Sequence, residues 1–345
     1  MRQELRIRLN ELGATDEEID RAASEGWLPL LAFERMLMPG RREYDLATLA
    51  ARAGIDEELA RRLWRAVGFP DVPAGAAVFT ERDVEAARLA LTQAPARDIE
   101  QGTLLQQIRV ISGSLARVAA VEASGFTEIL EDMHAQSASE DEIALAVLDD
   151  PRLIDVGILI DYVHRLQLRA AVWRRTVLAA EPDIAIAVGF ADLSGYTRLS
   201  ARLDPDAISD LVGRWEAVAY DTMAANGARV VKTIGDEVMF VGLTSETVAA
   251  ALALRDASAA EGLPPLRIGL AAGPVVARDG DYFGPVVNLA SRLTELAAPG
   301  EVLAPAGVRD ELQPAPDDAV RWVSRGIQQV RSIGPVEVFS LERSG

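Results

Sequence analysis

The spacing of apolar and polar residues changes about halfway along the chain. In the first 180 residues, apolar side chains recur at helical spacing, as in the run from Leu46 to Ala53. Glycine- and proline-rich turns separate these runs, and Thr80 followed by Asp83 is typical of a helix start. The pattern predicts an all-α N-terminal region. Its last helix, 154–180, should end at Glu181-Pro182-Asp183 because proline disfavours helix in the residue before it.

The period changes to that of strands after this point. The apolar, β-branched run Ile184–Ala191 predicts a buried strand, and Gly235-Asp236-Glu237 predicts a hairpin turn. The other predicted elements are a helix over 204–226, strands Arg229–Ile234 and Val238–Gly242, helix Glu246–Ala260, strand Leu266–Ala272 and helix Pro285–Ala297. This βαββαβ order predicts an α+β, ferredoxin-like domain with helices on one side of its sheet. We expect a helical domain over 1–153, a helical linker over 154–182 and the α+β domain over 183–345.

Composition excludes several classes of protein. The chain has 345 residues, of which 49% are apolar and 26% charged, so it can bury a core. With 35 basic and 53 acidic residues its formal charge is −18, which argues against nonspecific binding of nucleic acid or anionic lipid. The lack of cysteine excludes disulfides and zinc–thiolate sites. Because it has neither a signal-peptide pattern nor an apolar run of about 20 residues, we expect a cytoplasmic protein without a transmembrane segment.

Two aspartates stand where they could bind metal ions. Asp192 ends the predicted strand before a glycine turn, and its carboxylate and the Leu193 carbonyl are oxygen ligands that suit a hard cation. Asp236 occupies the tip of the predicted hairpin. Each position has an ordinary alternative, because aspartate also caps turns and is common at hairpin tips. On neighbouring strands, however, the two carboxylates would repel each other unless metal was bound, so the pair predicts a site for two magnesium ions.

The segment Val287–Arg292 carries an amide and a guanidinium on one helical face. Asn288 and Arg292 are four residues apart and therefore lie one turn from each other. Planar donors of this kind match the oxygens of a phosphate group. The ordinary alternative is an exposed helical arginine without a ligand.

Taken together, these segments resemble the catalytic domain of the class III nucleotide cyclases over about Ile184 to Leu341. The resemblance implies that Asp192 and Asp236 bind two divalent cations, Mg²⁺ or Mn²⁺, in each active site. It also implies that Asn288 orients the ribose and that Arg292 stabilises the charge that develops on the transferred phosphate.

The resemblance also implies which nucleotide is bound. The residues that select the purine in this family correspond to Lys232, the only lysine in the chain, and to Asp281. Lysine donates to N1 of adenine and aspartate accepts from its amine, whereas guanine presents the opposite pattern, so the pair predicts ATP. A lysine that contacts the triphosphate in many members corresponds to Arg331, in an Arg331-Ser332 pair where the family has lysine and glycine.

These correspondences imply an adenylate cyclase that converts ATP into 3′,5′-cyclic AMP and pyrophosphate. They also imply a head-to-tail homodimer, because Lys232 and Asp236 lie on one hairpin and yet serve opposite ends of the substrate. The two aspartates of one chain would meet the base-selecting and phosphate-binding residues of the other, which gives two complete sites.

The N-terminal half resembles the helical regulatory domain of soluble actinobacterial cyclases. Members of that group are held inactive by this domain and some respond to acid pH or to fatty acids, which implies a proton or fatty-acid effector. Segment 154–180 would transmit the signal, and His164 on it is a candidate proton sensor, with an ordinary packed or solvated histidine as the alternative.

Other functions remain as alternatives. Tyr44–Leu91 is also similar to a winged or MerR-like helix-turn-helix module, but Arg61, Arg62 and Arg65 lie close to the acidic run 56–58, so we do not expect a nucleic acid partner. The hairpin turn is similar to that of diguanylate cyclases, against which the Val287–Arg292 motif argues. A cyclase fold without turnover could serve as a nucleotide- or DNA-binding regulator.

Overall fold

The computed structural model describes residues 3–93, 101–180, 186–312 and 320–344. The chain divides into two compact units, residues 1–171 and 172–345. The predicted helix end at Glu181-Pro182-Asp183 lies outside the described residues, as does the start of the strand predicted at Ile184–Ala191. The domain bounds of 1–153, 154–182 and 183–345 therefore stay a prediction.

The first unit is built from helices. They are α1 (Gln3–Glu11), α2 (Asp16–Glu25), α3 (Leu28–Leu37), α4 (Leu46–Ala53), α5 (Glu57–Val67), α6 (Glu81–Gln93), α7 (Gln101–Ala135), α8 (Glu140–Leu148) and α9 (Arg152–Ala180), whose last residues belong to the second unit. Reciprocal capping boxes at Thr15 and Ser139 begin α2 and α8. The predicted helix start at Thr80 is confirmed, since its N–H donates to the Asp83 carboxylate at 2.7 Å.

Separate apolar clusters hold these helices together. Leu5, Ile19 and Leu31 pack with residues of α8, and Leu49 packs with Phe79 between α4 and α6. Burial of a large aliphatic side chain stabilises a fold by about 1.5–3 kcal/mol, so each cluster outweighs the weak helix preference of short segments. Across the described residues of both units, no helix combines the length and the apolarity that crossing a bilayer requires.

In Tyr44–Leu91, the segment that is similar to a helix-turn-helix module, two arginines of α5 form ion pairs with carboxylates. On α5, Arg61 forms ion pairs with Glu57 and Glu58 at 2.6 and 3.0 Å. Arg65 pairs with Asp71 at 2.5 Å. A recognition helix for DNA needs free positive charge toward the phosphates, so these pairs argue against a DNA-binding role.

The second unit contains the mixed sheet. Its elements are β1 (Ile186–Leu193), α10 (Tyr196–Ser200), α11 (Pro205–Ala225), β2 (Arg229–Ile234), β3 (Glu237–Leu243), α12 (Thr244–Ala260), β4 (Leu266–Gly273), β5 (Val276–Arg278), β6 (Asp281–Phe283), α13 (Pro285–Leu296), β7 (Val302–Pro305), α14 (Ala306–Glu311), β8 (Val320–Val330) and β9 (Gly334–Arg343). The strand order is β2-β3-β1-β4-β7-β9-β8, with only the β4–β7 pair parallel among these neighbours. The predicted α+β class and βαββαβ core are confirmed. The β5–β6 hairpin, a separate two-stranded sheet, was not predicted.

Helices cover both faces of the sheet, so the expectation that they lie on one side was wrong. Phe240 on β3 belongs to the cluster that α11 and α12 bury, whereas Phe190 and Met239 face the cluster that contains Ala290 of α13. Helix α13 approaches β4 closely at Gly269, where a Cβ atom would lie 2.3 Å from the Ala290 carbonyl oxygen. Only glycine at position 269 permits this close approach, which allows α13 to pack directly against the sheet.

Candidate active site

The first part of the site lies where β1 ends beside the β2–β3 turn. Asp192 is directly opposite Glu237 in the antiparallel β1–β3 ladder, and Asp236 lies in the turn before β3. The Leu193 N–H donates to the Asp236 carbonyl oxygen at 3.4 Å, and the Asp192 and Asp236 carboxyl groups share a hydrogen bond. The register of two buried strands thus brings together the two aspartates predicted to bind metal.

Asp192, Asp236 and Glu237 form an acidic cluster, in which burial raises the pKa of two carboxyl groups. Burial first, and then the hydrogen bond and charge of Asp236 and the charge of Glu237, raise the pKa of Asp192 to about 7, against an opposing effect of Arg267. Burial also raises the pKa of Glu237, and the charges of Asp236 and Glu295 add to that effect. A bound cation stabilises the ionised form of a carboxyl group whose pKa is raised by burial and by neighbouring carboxylates. These groups therefore favour the binding of a cation. Sequence reasoning used Glu237 only as a turn residue and missed its place in this cluster.

The donors present fit a magnesium-like ion. Within the described ranges, no three His, Cys, Asp or Glu side chains are arranged to hold a metal ion. Asp192, Asp236 and the Leu193 carbonyl could supply only part of a coordination shell. Magnesium sites of proteins typically have one or two carboxylates and take further oxygens from water and from substrate phosphates. The residues therefore suit an ion that arrives with a phosphorylated ligand.

The second part of the site joins β2 to the β5–β6 hairpin. Lys232 on β2 forms an ion pair with the Asp281 carboxylate at the start of β6, and both side chains are half-buried. The second carboxylate oxygen of Asp281 accepts the Tyr282 N–H at 2.8 Å. The structure thus brings together the two residues predicted to select the base, a donor and an acceptor on one face.

Helix α13 presents the predicted phosphate-binding residues. Asn288 is exposed in the first turns of the helix, where its N–H donates to the Gly284 carbonyl oxygen at 3.2 Å. Arg292 lies one turn later and forms an ion pair with Glu295 of the same helix. Its guanidinium is thus held by an exposed carboxylate and could be released to a phosphate. Sequence reasoning did not anticipate Glu295.

Arg331 directly follows Val330, which packs with Leu293 of α13. It is exposed in the turn between β8 and β9, next to Ser332, whose φ of 64° is left-handed. Ser332 occupies the position of glycine in the family's lysine–glycine pair, and glycine adopts the left-handed conformation freely. The φ of Ser332 therefore agrees with this correspondence. The contact of Arg331 with the triphosphate stays a prediction.

Two family profiles divide the chain between them. The profile described as "Adenylate cyclase regulatory domain" matches residues 1–172. The profile described as "Adenylate and Guanylate cyclase catalytic domain" matches residues 178–343, which include every site residue described above.

Relatives match over both halves. An adenylate cyclase of Streptomyces coelicolor is 35% identical, with 84% of this chain and 77% of the relative aligned. One of Glutamicibacter nicotianae is 34% identical, with 90% and 81% aligned. A pH-sensitive adenylate cyclase of Mycobacterium tuberculosis is 34% identical, with 97% and 86% aligned. Among solved structures, the adenylyl cyclase CyaB from P. aeruginosa is 26% identical, with a TM-score of 0.40 over 47% of this chain and 95% of that one.

The α+β unit with its acidic cluster is a nucleotide cyclase catalytic domain. The chain belongs to the adenylate cyclases that carry an N-terminal regulatory domain, since relatives of that name align across both of its halves.

The raised pKa of Asp192 leads to a prediction about stability. In metal-free buffer, the melting temperature of the wild-type chain should fall between pH 5 and pH 8 more than that of Asp192→Asn. The folded-state pKa of about 7 exceeds the ordinary value of 3.8, so ionisation costs stability as pH rises through this window. Adding Mg²⁺ at pH 8 should raise the wild-type melting temperature and leave that of the variant nearly unchanged.

Asp210→Asn is the matched control, because Asp210 is exposed on α11. Its melting curve should follow the wild type in both pH and metal dependence. Equal pH slopes for the wild type and Asp192→Asn, or equal stabilisation by Mg²⁺, would contradict the prediction.

Proposed function

We propose that this enzyme converts ATP into 3′,5′-cyclic AMP and pyrophosphate at sites shared between two copies of the chain, under control of the N-terminal half. The observation that carries the choice of substrate is the Lys232–Asp281 pair on the surface of a cyclase domain. Relatives named adenylate cyclase support it.

The reaction forms one bond and breaks another at the α-phosphorus. The ribose 3′-oxygen attacks the α-phosphorus, the bond from the α-phosphorus to the α,β-bridging oxygen breaks, pyrophosphate leaves with that oxygen, and the 3′-hydroxyl proton is lost. Divalent cations held by Asp192, Asp236 and the Leu193 carbonyl would lower the pKa of that hydroxyl and neutralise the phosphates. Arg292 would exchange Glu295 for the oxygens of the transferred phosphate, and Asn288 would orient the ribose.

The base would take the place of a direct ion pair. Lys232 would donate to N1 of adenine and Asp281 would accept from the exocyclic amine, so each group exchanges its partner for the base edge. Guanine would leave buried polar groups unpaired, a cost of about 1–3 kcal/mol for each group.

The proposed substrate is tested by product analysis. The full chain with ATP and Mg²⁺ or Mn²⁺ should form cyclic AMP, and Lys232→Arg should lower kcat/KM for ATP by about tenfold or more, because the forked guanidinium does not fit a single ring nitrogen. Chromatography of products from ATP and GTP makes the measurement.

Circular dichroism should give the same spectrum and melting curve for Lys232→Arg as for the wild type, which shows that the fold persists. Lack of cyclic AMP with either metal would overturn the proposal. Cyclic GMP as main product would make the enzyme a guanylate cyclase, and cyclic di-GMP a diguanylate cyclase.

The contacts that the structure describes within one chain support a shared site, because the residues proposed to bind metal and those proposed to bind the base and phosphate do not contact each other directly. Within the described residues, no hydrogen bond or ion pair joins Asp192 or Asp236 to Lys232, Asp281 or Arg292. A head-to-tail homodimer would set the acidic cluster of one copy against the base-selecting and phosphate-binding residues of the other.

Complementation tests the dimer. Asp192→Asn and Arg292→Ala should each be inactive alone, because every site in such a dimer lacks one essential group. Co-expressed, they should recover about a quarter of wild-type activity, since half of the dimers are mixed and each mixed dimer has one intact site of two. Both variants must elute as dimers in gel filtration. Mixed dimers without activity would contradict a shared site.

Regulation by protons or fatty acids has support from the first unit. His134 at the end of α7 contacts the Leu130 carbonyl oxygen at 2.7 Å and the Glu140 carboxylate at 3.0 Å. The hydrogen bond to Glu140, and then that to Leu130, raises the pKa of His134. His164, the sensor suggested by sequence, is exposed on α9. For a fatty acid, an apolar cavity of about 450 Å³ is lined by α3, α7 and the start of α9, where Arg152 pairs with Asp150.

Variants of His134 and His164 can be distinguished by how their cyclase activity depends on pH. The His134–Glu140 ion pair is present at low pH and is lost as pH rises through the raised pKa. We therefore expect His134→Gln to flatten the dependence of cyclase activity on pH between about 6 and 8, where histidine titrates. His164→Gln serves as the matched control and should keep the wild-type profile. A flattened profile for His164→Gln alone would reverse the assignment.

A further inference from the structure

The base-selecting aspartate lies on a hairpin that the main sheet does not hold by strand pairing. Strands β5 and β6 pair only with each other among the described strands, from Val276 opposite Phe283 to Arg278 opposite Asp281. The position of the hairpin is therefore set by the short connections to β4 and α13, by the packing of Val275 and Tyr282 on the core, and by polar side-chain contacts with β2. Two residues of β2 make such contacts with two successive residues of β6. Lys232 contacts Asp281, and Arg229 contacts Tyr282.

A β-bulge in β2 makes this double contact geometrically possible. Arg229 pairs with Val241 and Val230 with Phe240, but the next pair is Lys232 with Met239, so Val231 is an extra residue. Residues three apart in a regular strand point to opposite faces. The extra residue instead puts Arg229 and Lys232 on the same face, toward the hairpin.

The Arg229 contact extends as far as the Asp281 carboxylate. The Arg229 guanidinium donates to the Tyr282 hydroxyl oxygen at 3.0 Å and lies 5.6 Å from the centre of the tyrosine ring. The Tyr282 N–H in turn donates to one Asp281 carboxylate oxygen at 2.8 Å and leaves the other toward Lys232. Arg229 thus orients Asp281 through Tyr282.

Binding of a base makes this second contact necessary. When adenine binds, Lys232 and Asp281 exchange their direct ion pair for the base edge, so that ion pair no longer joins the hairpin to the sheet. The Arg229–Tyr282 contact lies outside the base-binding pair and can persist. It then keeps acceptor and donor at the spacing that the adenine edge requires.

We infer that Arg229 and Tyr282 are positioning residues that set the preference for adenine over guanine by holding the β5–β6 hairpin on the sheet. The inference rests on the proposed function. Without this contact, Asp281 would move with the hairpin and could adapt to either purine. Discrimination and KM should then suffer more than kcat, because the phosphate-binding residues and metal ligands lie on other elements.

The test uses single and double variants of the full chain. Arg229→Met removes the donor and keeps an unbranched side chain, and Tyr282→Phe removes only the hydroxyl group. Both residues line a cavity of about 490 Å³, which leaves room for the changed side chains. We expect Arg229→Met to lower the ratio of kcat/KM for ATP to that for GTP by about tenfold, mainly through KM for ATP, because the charged hydrogen bond to Tyr282 is lost.

Tyr282→Phe should lower the same ratio by about threefold, because the ring contact with the guanidinium remains. The double variant should be no worse than Arg229→Met alone, since both changes remove one link. Arg321→Met is the matched control. Arg321 lies on β8, is exposed and pairs with Glu342, so the ratio should stay at the wild-type value.

Unchanged ratios in Arg229→Met, or equal loss of kcat for both nucleotides without a change in KM, would overturn the inference. Calorimetry with non-hydrolysable ATP and GTP analogues measures the binding affinities of the two nucleotides. It therefore tests the role of Arg229 independently of the proposed function. If the wild type binds the ATP analogue but forms no cyclic AMP, the proposed function fails, and the analogue affinities still decide the role of Arg229. If the wild type forms cyclic AMP but does not prefer the ATP analogue, the inference fails and the proposed function stands.

Discussion

The antiparallel pairing of β1 with β3 is the constraint on which the site depends. It places Asp192 opposite Glu237 and beside Asp236 at the end of a buried strand, where the three side chains are partly buried and burial and mutual repulsion outweigh the effect of Arg267 on Asp192. A slip of one residue would exchange the side chains that face the two helix layers and put Phe190 where only Gly189 fits beside the Phe240 ring, so the register is strongly determined. The apolar core thereby offsets the electrostatic cost of the acidic cluster, and that cost is what a divalent cation relieves.

The second group of site residues is arranged around the same sheet face. The bulge at Val231 turns two basic residues of β2 toward the β5–β6 hairpin, and Gly269 lets α13 pack close enough to present Asn288 and Arg292. In the free protein, the cationic groups are satisfied by carboxylates, Lys232 by Asp281 and Arg292 by Glu295. Substrate binding would then be an exchange of partners, in which the exposed Glu295 carboxylate is released to solvent and specificity depends on which partner fits Lys232 and Asp281 better.

Periodicity predicted the long elements and missed the short ones. The strands at Arg229–Ile234 and Leu266–Ala272 and the helix at Pro285–Ala297 agree with the structure to within one residue, because each shows several repeats of its period. Strands β5 and β6 have three residues each and show no period. The helices on both sheet faces could have been predicted, because β1 is apolar at almost every position, a pattern typical of a strand covered on both sides.

The sequence by itself determined the chemical groups of the site and their family, since motifs such as Val287–Arg292 are local and survive without knowledge of the fold. Only the tertiary structure decided how these groups act on one another. The raised pKa of Asp192, the place of Glu237 and the contact from Arg229 through Tyr282 to Asp281 arise between residues distant in sequence. Desolvation and hydrogen-bond geometry depend on register, on a single bulge and on close helix packing, and no local pattern encodes those distances.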